Sequence, residues 1–328
     1  MLAVFYTMYF MRAMLLPLVL ALLLSYLLVP VVRFLGRLGM NSHLGAVIVL
    51  ISLVAVSSYG ISRLAEPAAG WLEKAPYSLQ QLKQKLVPLR KPMEKVALAT
   101  GEIDKLTSPV EEKAQPVVVK QSFLANMFLT ETPEFITSLG VMFVLLYFLL
   151  AYDGLFLAKV TRSIPRLGDK KRAVAIVREI EMQISRYLLT ITLINIGLGV
   201  AVGVTVYLLG LRNPILWGAL VAVLNFVPYL GAITGITCMT LGAVLSFESL
   251  GYAMIFPASY LLLAIIEGNF VTPHLLGRSL TLNPVIILVA LIFWGWMWGI
   301  AGMVLAVPIL ATFKIFCTHI ERLEPVAN

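Results

Sequence analysis

The chain alternates long apolar runs with short polar connections, not polar with apolar positions. Runs free or nearly free of charge occur at Met1–Met11, Ala13–Val32, Leu44–Ile61, Phe135–Tyr152, Tyr187–Leu211, Pro214–Phe247, Leu250–Ile266 and Leu280–Phe313. They are continuous and lack period-two alternation, which predicts helices and not strands. A helix crosses a bilayer core of about 30 Å with about 20 apolar residues. The pattern therefore predicts an all-α polytopic membrane protein with about eight transmembrane helical segments. Met1–Met11 is too short to span unaided, and the lack of a basic stretch before Arg12 argues against a cleaved signal peptide.

One long interval breaks the pattern. Residues 66–134 hold nine basic and nine acidic residues, with apolar positions from Leu72 through Leu79, Leu86 and Met93 to Val110 at alternating steps of three and four. That period marks helices packing on helices. It predicts an extracytoplasmic amphipathic helical segment with a heptad seam, suited to oligomerisation. Pro88, Pro92 and Gly101 are expected to kink or break it. The organisation is then residues 1–65 as N-terminal transmembrane helices, the 66–134 segment, a transmembrane helix over 135–152, a basic linker over 153–186, and a C-terminal transmembrane bundle over 187–328.

Two runs are too long. Pro214–Phe247 and Leu280–Phe313 are each 34 residues without a charge. A straight helix of that length measures about 51 Å, which tilt alone does not fit into the bilayer. Each run is predicted to break inside the membrane. The first offers Asn225, Pro228, Tyr229 and Gly231; the second offers Gly299 and Gly302 beside three tryptophans, with Pro308 after them. Asn213-Pro214 and Asn283-Pro284 open two similar units, Asn suiting an N-cap and Pro the first helical position. Freed peptide groups are not tolerated in lipid, so they must be buried or line a cavity, as at the midplane sites of secondary transporters.

Composition and charge sharpen the reading. The chain is 60% hydrophobic and 13% charged, too little polar surface for a water-soluble domain. Its net charge of +8 would suggest nucleic acid in a soluble protein. Here the basic residues of 153–186, with Arg33, Arg37, Lys314 and Arg322, predict a cytoplasmic side with both termini on it. Cys238, Cys317 and the scattered histidines make no metal or disulfide spacing, and no nucleotide-binding or hydrolase motif occurs. An enzyme is not expected, nor any cofactor.

The stretch Glu267–Pro284, EGNFVTPHLLGRSLTLNP, places Glu267, Asn269, Pro273, Arg278, Asn283 and Pro284 between two apolar runs. An ionisable group at a membrane boundary is a functional candidate whose partner must be named. For Glu267 the candidates are Arg278 and His274. Its role is either proton coupling or an ion pair that fixes the loop.

Four stretches, NFVPYLG, EGNFVTPHLLGRSLTLNP, WGIAGMVLAVPILATFK and LLPLVLALLLSYLLVPVV, resemble signature segments of the bacterial autoinducer-2 exporter family. The resemblance extends over nearly the whole chain. It implies an inner-membrane homo-oligomer, with a pentamer favoured, and export of a small hydroxyl-rich signal. The matching positions are Asn225, Pro228, Tyr229, Gly231, Glu267, Asn269, Pro273, Gly277, Asn283, Pro284, Gly299, Gly302 and Pro308. Other members look like sodium/proton antiporters. Three functions follow: export of a small polar solute by alternating access, cation/proton antiport through Glu267, or a membrane scaffold binding a partner through 66–134. The expected surroundings are lipid, a small solute or cation, and further copies of the chain, with no nucleic acid.

Overall fold

The structure is a computed structural model describing residues 11–98, 132–152, 167–277 and 283–318, with backbone alone at 12–13, 72–98, 132–135 and 167–173. Residues 1–10 of the first apolar run, the seam beyond Leu98, the linker from Asp153 to Arg166, and Arg278 lie outside the described residues. Every regular element among the described residues is helical. In chain order these are α1 (Arg12–Arg37), α2 (Ser42–Leu98), α3 (Thr132–Ala151), α4 (Leu167–Leu208), α5 (Pro214–Leu224), α6 (Leu230–Ser246), α7 (Leu250–Ala253), α8 (Ile255–Ile266), a π-helical turn (Glu267–Val271), α9 (Thr272–Leu276) and α10 (Pro284–Thr318).

Five stretches are long and apolar enough to cross a membrane: Met14–Arg37, Ser42–Trp71, Val174–Leu208, Leu250–Leu276 and Pro284–Thr318. Three shorter apolar helices accompany them, over Ile136–Ala151, Pro214–Leu224 and Leu230–Ser246. The helix α2 continues from its apolar half through Pro88 and Pro92 to Leu98, 57 residues in all. Neither proline breaks the helix, and the third expected position, Gly101, lies outside the described residues.

Spacing explains which faces are inside. On α4 the buried Leu198, Val202 and Val206 recur every four residues, while Ile196, Val200 and Val204 stand exposed on the other face. An exposed apolar face is what a helix presents to acyl chains. On α3 the same step buries Met142, Leu146 and Leu150 against Ala21 of α1 and Ala46 of α2. A second core joins α4, α5, α6 and α8 around Trp217, Met239, Phe256 and Tyr260. A third joins α1, α4 and α10 through Leu23, Ile184, Leu188 and Leu305. Helix α4 thus takes part in both C-terminal cores.

The two ends of the bundle differ chemically. At one end Arg33 pairs with Glu181 at 3.4 Å, and His43 meets Tyr152 edge-on with centroids 5.1 Å apart. Arg186 and Lys314 share a cavity at that end. At the other end Trp71 meets Trp217 edge-on at 5.4 Å, Trp217 Nε1 donates to the Arg212 carbonyl at 3.1 Å, and the Tyr252 hydroxyl donates to the Leu209 carbonyl at 3.0 Å. Aromatic groups with one polar tip suit the edge of a bilayer.

Candidate functional site

Helix α5 starts at the aromatic end and stops after 11 residues. Asn213 before it is left-handed (φ 60°, ψ 54°) and makes no side-chain cap, so only Pro214 keeps its expected helix-starting role. The chain then turns through Asn225–Tyr229. Phe226 N–H donates to Val223 O at 3.3 Å and Val227 N–H to Leu224 O at 2.9 Å. Tyr229 (φ 62°, ψ −58°) is the centre of a γ-turn in which Leu230 N–H donates to Pro228 O at 2.7 Å. This is the rarer, strained hand of that turn. Gly231 follows so close to α5 that a Cβ there would collide with the Leu224 carbonyl. Helix α6 therefore runs back beside α5, and further along Trp217 fills the space where Gly242 lacks a side chain.

The tip of this hairpin is polar. Asn225 Nδ2 donates to Asn195 Oδ1 of α4 at 2.8 Å. Asn195 is fully buried, and its own Nδ2 has no hydrogen-bond partner among the described residues. No backbone N–H among the described residues donates to the carbonyls of Asn225 or Phe226. Two amides and two peptide oxygens are thus gathered where the surrounding runs hold no charge.

The second long run also reverses. Gly299 leaves the helical region at φ 64°, ψ −143°, a conformation open to glycine and strained for any L residue. Three residues on, a Cβ at Gly302 would collide with the carbonyl oxygen of Trp294. In a straight helix residues 294 and 302 would be about 12 Å apart. The run is folded on itself, with the indole of buried Trp298 at the tip and its Nε1 without a partner among the described residues. Pro308 is buried in the returning arm, which stays helical through it. Gly277 before this run and Lys314 near its end line the same cavity, so the reversed run starts and finishes at the basic end.

The hairpins approach from opposite ends and touch. Val227, in the first tip, is buried with Ala290, Leu291 and Ala306 from both arms of the second. Beside them α5 crosses α4 with almost no side chain between: a Cβ at Gly199 would sit 2.6 Å from the Gly218 carbonyl oxygen and 2.7 Å from the Ala222 Cβ.

The Glu267–Pro284 stretch is less convergent. Glu267 opens the π-helical turn Glu267–Val271, half-buried, and its carboxylate accepts from the Thr272 hydroxyl. Such π-bulges often mark functional positions. Asn269 is exposed and returns its amide to the Ile265 carbonyl at 2.9 Å. Pro273 and Pro284 are exposed. Asn283 Oδ1 caps α10 by accepting from Val285 N–H at 2.9 Å, as its residue type predicts. Asn225, Pro228, Tyr229 and Gly231 therefore share one hairpin, and Gly299, Gly302 and Pro308 the other. Asn269 and Asn283 are engaged with their own backbones.

The sequence reading missed two buried polar groups, Asn195 at the site and Tyr260 against α6. Asn195 had a signal, a lone amide inside Tyr187–Leu211. Tyr260 had almost none; its hydroxyl is buried without a partner among the described residues, 2.9 Å from where a Gly235 Cβ would be. Among the described residues no three His, Cys, Asp or Glu side chains gather, so amides, hydroxyls and carbonyls are the polar groups on offer.

Known proteins place this architecture. The chain is 26% identical over 314 residues to the AI-2 transport protein TqsA of Escherichia coli (strain K12), covering 93% of this chain and 86% of that protein. It is 25% identical over 305 residues to YhhT of the same organism, covering 91% and 82%; that name assigns transport without a solute. A Borreliella burgdorferi protein named for transport is 29% identical over 206 residues, 62% of this chain and 56% of that protein. All three names assign transport and none an enzymatic activity. Residues 1–322 match the group described as AI-2E family transporter, and with nearly the full length matched, the chain belongs to the AI-2E transporter family.

Proposed function

We propose that the chain exports a small polar solute by alternating access, with the two hairpins as the moving walls of a central chamber. The observation that supports this most is the amide pair of buried Asn195 and half-buried Asn225 at the tip of a hairpin whose Asn225 and Phe226 carbonyls lack backbone donors among the described residues. Amide N–H groups and peptide oxygens are complementary to hydroxyls, which both donate and accept. One hairpin enters from each end, so opening one while the other stays closed exposes the chamber to one side at a time. Autoinducer-2 is the first solute to try, because TqsA carries that name over most of its length. In this reading the chain forms eight membrane segments of a bacterial inner-membrane homo-oligomer, a pentamer for preference, with both termini cytoplasmic and residues 66–134 outside.

Outward flux of autoinducer-2 from loaded proteoliposomes tests the site. Asn195→Ala and Asn225→Ala are expected to lower it at least about tenfold, the effect of losing about 1.4 kcal/mol. Unchanged flux in both variants, with normal folding, rejects the chamber.

A second reading, cation/proton antiport, rests on Glu267. It is a half-buried carboxylate at the start of a π-helical turn, held by Thr272. If it carries protons, Glu267→Gln abolishes sodium-driven pH changes in vesicles. If those changes persist, Glu267 is not the proton carrier.

A further inference from the structure

Away from the hairpin tips, at the basic end of the bundle, a cavity of about 640 Å³ opens between α4, the turn after α9 and the end of α10. Its polar walls are Gln183, Arg186 and Thr190 of α4, His274 of α9, and Lys314 and Thr318 of α10. Gln183, Arg186 and Thr190 recur at steps of three and four, which puts them on one face of α4. Lys314 and Thr318 stand one turn apart on α10 by the same rule. Two permanent cations and an imidazole converge from three elements, and among the described residues no carboxylate lines the space. The volume lies within the range of about 300–1,000 Å³ typical of small-ligand sites.

Cations near the ends of α9 and α10 also offset the carbonyl poles of those helices. That role requires neither convergence on one space nor Arg186, which lies mid-helix in α4. Tyr187, Leu275, Leu276, Gly277 and Ile315 complete the lining, so the cavity joins an apolar wall to a cationic one. Such a combination suits a group with a negative head and an oily body, and basic pockets between membrane helices take anionic headgroups for this reason.

We propose that this cavity binds a phosphate oxyanion, supplied by the phosphodiester of an anionic membrane lipid or by free phosphate. Arg186 supplies a planar fork for two oxygens, Lys314 a point charge, and Gln183 and Thr190 neutral donors. The site is separate from the transport chamber and stands whether or not the solute reading holds.

Native mass spectrometry of the detergent-purified full chain, titrated with phosphatidylglycerol, with phosphatidylcholine, and with phosphatidylglycerol against inorganic phosphate, tests it. Phosphatidylglycerol is expected to add stoichiometrically and phosphatidylcholine not. The Arg186→Gln/Lys314→Gln pair should weaken the phosphatidylglycerol adduct about thirtyfold. Arg186→Lys/Lys314→Arg should keep it, which separates lost charge from lost fold. Displacement by inorganic phosphate assigns the site to a soluble anion; resistance assigns it to the lipid. Equal binding of phosphatidylcholine, or an unchanged adduct in a folded Gln pair, overturns the proposal.

Discussion

Tyr229 holds a positive φ that an L side chain adopts at a cost of about 1–3 kcal/mol. Nothing in its packing demands a phenol, for the side chain is exposed. In the proposed transport path, its hydroxyl or ring offsets that cost by acting on the solute. Tyr229→Gly is expected to raise stability by about 1 kcal/mol and lower solute flux, read by thermal unfolding in detergent beside a proteoliposome assay. A glycine variant with full flux would remove Tyr229 from the transport path. Asn195 shows the limits of reading single residues. An amide in an apolar run is visible in the sequence, but the partner that makes it matter, Asn225, lies 30 positions away and is found only through the fold.

For the helical elements, excess length was the legible signal. Two 34-residue charge-free runs are expected to break, and the backbone leaves helical values at Tyr229 in the first and at Gly299 in the second. What could not be read was the reversal. A kink and a hairpin use the same breakers; the difference lies in whether residue 224 meets 231, and 294 meets 302, and sequence pattern does not encode such pairs. Gly277 and Lys314 share one cavity, so the second run begins and ends at the same end of the bundle, which run length alone does not reveal. Gly302→Leu and Gly231→Leu should each force the arms apart, costing about 1–3 kcal/mol or more, measured as a lower unfolding temperature. Gly60→Ala, in helix with nothing within 4 Å, is the control and should be neutral or slightly stabilising.

The whole molecule is a bundle with a cationic end and an aromatic end. Counting Lys and Arg along the sequence puts Arg33, Arg186 and Lys314 on one side, which we propose is the cytoplasmic one. Arg37→Cys should react with a membrane-impermeant maleimide only in inside-out vesicles, and Arg212→Cys only in right-side-out cells. The reverse labelling would invert the orientation. Long-range contacts were not legible, and among them is the crossing of α4 and α5 at Gly199 and Gly218. With backbone lying on backbone there, the two helices have no compressible layer between them and cannot slide without first separating. If the first hairpin works as a door, α5 is its fixed jamb, α6 the leaf, and the Asn225–Tyr229 turn the hinge pin.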